Sequence, residues 1–405
     1  MPELMEKILN NLNNEFNSLY SCALVNRHWC KISIPILWQN PFTCENYHKT
    51  LIISGYLSSL GKDEQIGLQS MLKAGASLQE LCLNYFEHPF GLKLSVTLDE
   101  IQPEICCSLE QNMQFLSRLQ NLTINLIRSD SNFNIENLTK LLKILGKGTT
   151  KLSTLNIRVP YYYDPQLFYS LICIINSQRQ LKQFDMIDKY GFSKNLPSII
   201  SALKSQKQSL QEVRIEGCNF TEVFKVLMNF ENLETLCIIN CEFSNNTELL
   251  KILEKNFYKI KTFDVVTDME FDTLSIVQCI KKFGSLLHRL KLYSDKDIVE
   301  KSLLPETIKS FCPNITYLYI MDIGLSAQIQ ELIGNLQKLQ FLTLYNENVD
   351  AFDGIIDKDL RRQVIQFAGI LPSTLQYLDI TGSLLNSCID IITQPLQCTF
   401  KKVAN

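Results

Sequence analysis

The sequence predicts an α/β protein: an N-terminal all-α bundle leading into a curved solenoid, with parallel strands on the concave side and helices on the convex. Three observations predict this. Apolar residues recur at helical spacing through the first forty positions. From Leu78 onward, a pattern of Leu, two residues, Leu, one residue, Leu returns in eleven copies. Its period lies in the twenties.

The first helix starts at Pro2, a residue suited to a first helical turn because the missing N–H would be unpaired there anyway. Glu3 complements the positive helix end. Leu4, Ile8, Leu9 and Leu12 follow at helical spacing. Leu19, Cys22, Ala23 and Val25 form a second apolar face. Trp29, Ile32, Ile36, Leu37 and Trp38 form a third, broken by Pro35. Three helices this short bury little surface by themselves and need a neighbour. Residues 41–77 carry no repeat and form a helical linker or cap, with a helix expected near Glu64–Lys73.

Residues 78–400 form the solenoid. Its copies open at Leu78, Leu119, Leu152, Leu181, Leu210, Leu233, Ile260, Leu287, Ile315, Leu339 and Leu375. This signature and period are those of a leucine-rich repeat. In each copy the second and third apolar residues stand two apart and point to one face of a short strand. Between strands, residues 221–230, 247–257, 272–283 and 325–336 show helical apolar spacing, several opening on Asp, Ser or Thr in cap positions. Cys218 and Cys241 hold the ninth repeat position, which predicts a buried turn ladder rather than a metal site. Residues 84–118 hold either a long insertion or a degenerate repeat around Leu92–Val96. Residues 345–374 read as a solvated acidic loop with Glu347, Asp350, Asp353, Asp357 and Asp359.

With 39 basic and 42 acidic side chains and a net charge of −3, nothing electrostatic points to nucleic acid. The fourteen cysteines include no CxxC pair and sit mostly in apolar runs. The opening residues read as a folded helix rather than a cleaved leader, and no apolar run approaches eighteen residues. The expectation is a reducing compartment, cytoplasm or nucleus, with free thiols packed as small hydrophobes. Five Asn-x-Thr triplets, at Asn121, Asn137, Asn219, Asn245 and Asn314, are then chance matches. His28, His48, His88 and His288 fall in no zinc-binding or metalloprotease pattern, and no phosphate-binding glycine loop occurs. The expectation is a protein with no catalysis, no cofactor and no metal.

Residues 1–40 resemble the F-box. Its opening Leu-Pro-acidic triplet reads Met1-Pro2-Glu3, with Met1 where the family has Leu. Its Leu-rich helix leads into Val25-Asn26-Arg27-His28-Trp29, and a distal Trp, Trp38, closes the motif. An F-box ahead of leucine-rich repeats is similar to the substrate receptors of cullin–RING ubiquitin ligases, and the Asn- and Lys-rich style looks like the large F-box families of some fungi. The resemblance implies a Skp-type adaptor docked on Pro2, Leu4, Ile8, Leu9, Leu12, Leu19, Val25 and Trp29, a cullin held through it, and a protein substrate on the repeats. Ligation itself is left to a recruited enzyme, so this chain contributes proximity. The alternative is a leucine-rich-repeat scaffold or binding protein acting outside a ligase. A GTPase regulator would call for an acidic tail, where this chain has Lys401 and Lys402.

The residues between the inward leucines place the substrate. Early copies carry Asn121, Thr123 and Asn125, then Thr154, Asn156 and Arg158. Late copies carry Arg289, Lys291 and Tyr293, then Tyr317, Tyr319 and Met321, then Phe341, Thr343 and Tyr345, then Tyr377 and Asp379. Tyr, Phe, Met and Arg are enriched at interface centres, which points to the late copies. Tyrosines also pack side by side on sheets for stability, and residues 395–405 could cover the face.

Overall fold

The computed structural model describes residues 16–23, 25, 29, 32–33, 80–84, 95–97, 103–111, 113–126, 135–158, 165–188, 196–241, 250–253, 259–268, 272–294, 303–321, 326–345 and 358–380. It divides the chain into two compact units, Met1–Ser209 and Leu210–Asn405.

In the first unit, helix α1 (Phe16–Ala23) precedes strands β1 (Glu80–Asn84), β2 (Ser95–Thr97), β3 (Asn121–Asn125), β4 (Thr154–Arg158) and β5 (Gln183–Ile187). Helices α2 (Pro103–Gln111), α3 (Ile135–Gly148), α4 (Pro165–Ser177) and α5 (Leu196–Ala202) intervene. The strands pair in parallel in the order β2-β1-β3-β4-β5. The second unit places β6 (Glu212–Glu216), β7 (Thr235–Ile239), β8 (Thr262–Thr267), β9 (Arg289–Ser294), β10 (Tyr317–Met321), β11 (Phe341–Tyr345) and β12 (Tyr377–Asp379) side by side in chain order. Between them run α6 (Phe220–Leu227), α7 (Thr273–Phe283), α8 (Leu303–Phe311), α9 (Ala327–Asn335) and α10 (Lys358–Ile370).

The eleven copies of the motif each hold one strand, and the register shows why the motif folds this way. Leu122, Leu155 and Phe184 stand level across β3, β4 and β5. In the second unit Val213, Leu236, Phe263, Leu290, Leu318, Leu342 and Leu378 form one buried row. A one-residue slip would turn a whole row to the opposite face, so the alternation fixes the pairing. At about 1.5–3 kcal/mol for each Leu-sized side chain buried, these rows dominate the stability. From the copy at Leu119 onward, the first apolar residue is buried just ahead of its strand, and the turn there repeats one hydrogen-bond pattern. The N–H groups of Ser153 and Thr154 both donate to Gln120 O, and those of Gln376 and Tyr377 both donate to Gln340 O. Six further copies do the same, including His288 and Arg289 on Lys261 O.

The helices close the core from one side. In α7, Ile276, Val277, Cys279, Ile280 and Phe283 are buried, and the Phe283 ring meets Phe263 of β8 edge to face at 5.2 Å. Of the expected cap residues, Asp272 accepts from Ser275 N–H and Ser326 from Ile329 N–H. Thr221 is buried in the helix instead, and Asn219 caps α6 by accepting from Glu222 N–H. Asn219, which opens one of the Asn-x-Thr triplets, is thus accounted for by helix capping. Cys218 and Cys241 are buried with their Sγ atoms 2.8 Å apart, on adjacent turns, as the ladder reading expected. Gly217 (φ 70°) and Asn240 (φ 48°) turn the chain after β6 and β7 in the left-handed region, which glycine and asparagine tolerate best.

Two irregular regions differ from a simple array. The segment around Leu92–Val96 is not a repeat stacked in series: β2 pairs with the outer side of β1, while β3 takes the inner side. Among the described residues it is an insertion whose strand ends the sheet. The stretch 345–374 is not loop throughout, because α10 occupies residues 358–370 and buries Val364, Phe367 and Ala368. Its i, i+3, i+4 apolar spacing is a helical signal that the acidic residues obscured. The helix expected near Glu64–Lys73 lies outside the described residues.

Candidate protein-binding face

The outward positions of the strands differ sharply between the units. On the first unit two pairs of them bond to one another. Asn156 Nδ2 donates to Thr123 Oγ1 at 3.2 Å, and Thr154 Oγ1 donates to Gln183 Oε1 at 3.0 Å. Arg158 is exposed at the end of β4.

On the second unit the outward positions form two rows across the strands. The first runs through Arg289, Tyr317, Phe341 and Tyr377, level in register on β9 to β12. The Arg289 guanidinium lies 3.9 Å above the Tyr317 ring. Tyr317 and Phe341 follow at 6.3 Å between centroids and Phe341 and Tyr377 also at 6.3 Å, tilted by 32° and 37°. Strand spacing of about 4.8 Å brings one side chain per copy within reach of the next. Phe341 is 38% exposed, a large apolar ring open to solvent.

The second row places Lys291 beside Tyr319, in register on β9 and β10. The Lys291 ammonium lies 4.8 Å from the Tyr319 ring centroid and 5.9 Å from that of Tyr293. Tyr293 and Tyr319 are 6.2 Å apart. Met321 and Tyr345 pair in register at the ends of β10 and β11.

Two acids frame these rows. Asp264 on β8 takes the Arg289 Nε–H on both carboxylate oxygens, at 3.2 and 3.3 Å. Burial pulls the Arg289 pKa down, but the hydrogen bond and charge of Asp264, with Tyr317 beside it, outweigh this and raise it, so the cation is locked in. Burial, then the Asp379 charge and Tyr317, push the Tyr377 phenol up, so it stays neutral and able to donate. Sequence reasoning missed Asp264. Its signal was the register: it occupies in its copy the outward position that Lys291 occupies in the next.

The N-terminal residues fall differently. Pro2, Leu4, Ile8, Leu9 and Leu12 lie outside the described residues. Leu19 is fully buried, Val25 is 59% exposed and Trp29 is half-buried. Among the described residues, no group of three or more His, Cys, Asp or Glu is placed to hold a metal ion. No helix among them is long and apolar enough to cross a membrane.

Comparison with known proteins bears on the N-terminus first: residues 2–44 match the F-box-like family model. No curated protein matches the chain. Among solved structures, the leucine-rich repeat-containing protein LegL7 from Legionella pneumophila is similar, at 12% identity and a TM-score of 0.40 over 68% of this chain and 90% of that one. The chain is thus an F-box-like segment followed by a leucine-rich-repeat array of parallel strands and helices, the latter carried by its own register and burial.

Proposed function

We propose that this protein is the substrate-recognition subunit of an SCF-type ubiquitin ligase. In this reading the F-box-like segment docks a Skp-type adaptor, through it a cullin, and the strand face of the second unit holds a protein substrate. The observation that carries the proposal is the combination on one chain of an F-box-like match over residues 2–44 and an open aromatic–cationic face on β9 to β12. Tyr and Arg are the residues most enriched at interface hot spots, and an exposed aromatic patch on a protein surface marks a partner. The chain breaks no bond itself; it raises the local concentration of a substrate lysine near a loaded enzyme. A reducing compartment, cytoplasm or nucleus, agrees with the ten free cysteines among the described residues.

The test is co-purification of adaptor and cullin with the full chain and with a Leu4→Ala, Ile8→Ala variant. The double variant should lose the adaptor while keeping its circular dichroism, since each buried Leu-sized truncation costs about 2–5 kcal/mol. A folded variant that retains adaptor and cullin undiminished refutes docking through these residues. A wild-type chain that captures adaptor without cullin places the protein outside a ligase.

A further inference from the structure

The face on the second unit also carries a charge pattern, and from it we infer that the partner segment presents a carboxylate side chain, Asp or Glu, to Lys291, with an apolar neighbour on Phe341. This rests on the reading of that face as a docking surface. At their described outward positions β9, β10 and β11 carry two cations, Arg289 and Lys291, and no acid. The two are not equivalent. Arg289 is neutralised within the molecule by Asp264, which meets its Nε–H with both oxygens. Lys291 stands level with Asp264 in register, but that carboxylate is turned to Arg289; the Lys291 ammonium faces two tyrosine rings, and no salt bridge among the described residues involves it.

The rings polarise toward the ammonium but do not neutralise it, leaving one net positive charge on an aromatic shelf. Lys291 is half-buried on this shelf, so a carboxylate arriving there is screened less by water than at a fully exposed lysine. Phe341, two strands away and exposed, supplies the apolar contact. A basic segment would find no acid between Asp264 and Asp379, the first engaged and the second on β12.

The test uses the full chain against an array of nine-residue peptides, random except for a central Glu, Gln, Lys or phosphoserine and a Leu or Phe two residues away. The expected result is a preference for Glu over Gln of about three- to tenfold at 50 mM salt, shrinking at 300 mM. That preference should vanish in Lys291→Met, survive in Lys291→Arg, and be untouched by Arg158→Ala on the first unit. A Lys291-independent or absent preference for Glu overturns the inference, as does tighter binding of phosphoserine or Lys. If Gln peptides bind and Phe341→Ala abolishes that binding, the docking face stands and only the carboxylate assignment falls. If no peptide signal responds to Phe341→Ala or Tyr319→Ala, the docking reading falls with it. A Glu preference that emerges only after Glu347, Asp350 and Asp353 are changed to their amides overturns the inference in favour of an occupant from this chain.

Discussion

Replacing Gln206 by Met tests the reasoning about how neighbouring copies in the first unit are held in register. Gln206 is buried at the end of the 3₁₀ turn Leu203–Gln206. Its Nε2 donates to Gln178 O at 2.9 Å and Ile175 O at 3.1 Å, and its Oε1 accepts from the backbone N–H of Leu181 at 3.3 Å. Gln178 does the same one copy earlier, donating to Thr149 O and Ile174 O at 2.8 Å and accepting from Leu152 N–H at 2.9 Å. Each glutamine thus pairs carbonyls left over at a helix end with the N–H of the first Leu in a copy. Met keeps the apolar volume and removes every one of these bonds. Two buried backbone groups, Gln178 O and the Leu181 N–H, lose their partner at about 1–3 kcal/mol each, while Ile175 O keeps the Gln178 N–H at 3.2 Å, and the loss is about 3–5 kcal/mol. The assay is urea unfolding of the full chain together with native-state hydrogen exchange at the Leu181 amide. That amide should exchange at least about a hundredfold faster, since tenfold corresponds to about 1.4 kcal/mol. A loss below about 0.5 kcal/mol with Leu181 protection unchanged would refute the claim that the side-chain ladder, rather than the apolar rows alone, sets this register.

Two further outcomes follow from packing and burial. A Cβ on Gly284 would stand 2.9 Å from both Cys312 Sγ and Phe311 O, and the backbone oxygen cannot swing away, so Gly284→Ala should cost about 1–3 kcal/mol by chemical denaturation; a variant as stable as the parent shows that α8 can shift to accept it. Burial pushes the Cys312 thiol up to about 12, and Cys279 still higher, so only the unfolded chain can ionise them at moderately alkaline pH. Their contribution to stability is therefore complete below the ordinary thiol pKa of about 8.5 and is lost as pH rises from there toward 12. Iodoacetamide at pH 8 should label exposed Cys107, beside Lys140 Nζ at 3.6 Å, while sparing Cys279 and Cys312 until urea is added; early labelling of either would contradict their burial.

The repeat array was legible because its physics is local. Two apolar residues at i and i+2, preceded by a third, define a strand and the face it buries, and eleven recurrences define the stack. The aromatic face could be read for the same reason, since outward positions alternate with inward ones along every strand. The F-box-like segment was legible as a motif, Pro2-Glu3 through Trp29 to Trp38. The sequence alone could not decide what depends on which strands become neighbours. That β2 pairs with the outer edge of β1 follows from no local pattern, because three residues fit either edge. That α10 is a helix was hidden because the acidic residues ahead of it in the sequence read as loop, while Val364, Phe367 and Ala368 carried the helical spacing. Gln178 and Gln206 look like ordinary polar residues until the fold brings each between the N–H that opens its own copy and a carbonyl of the preceding one. Arg289 and Lys291 stand two apart on one strand and read alike. The register sets Asp264 level with Lys291, yet its carboxylate takes the Arg289 Nε–H diagonally while the Lys291 ammonium lies over aromatic rings, so one becomes a closed ion pair and the other an open charge. Local periodicity determined the elements and their faces; the pairing across copies, a long-range property, decided which side chains meet.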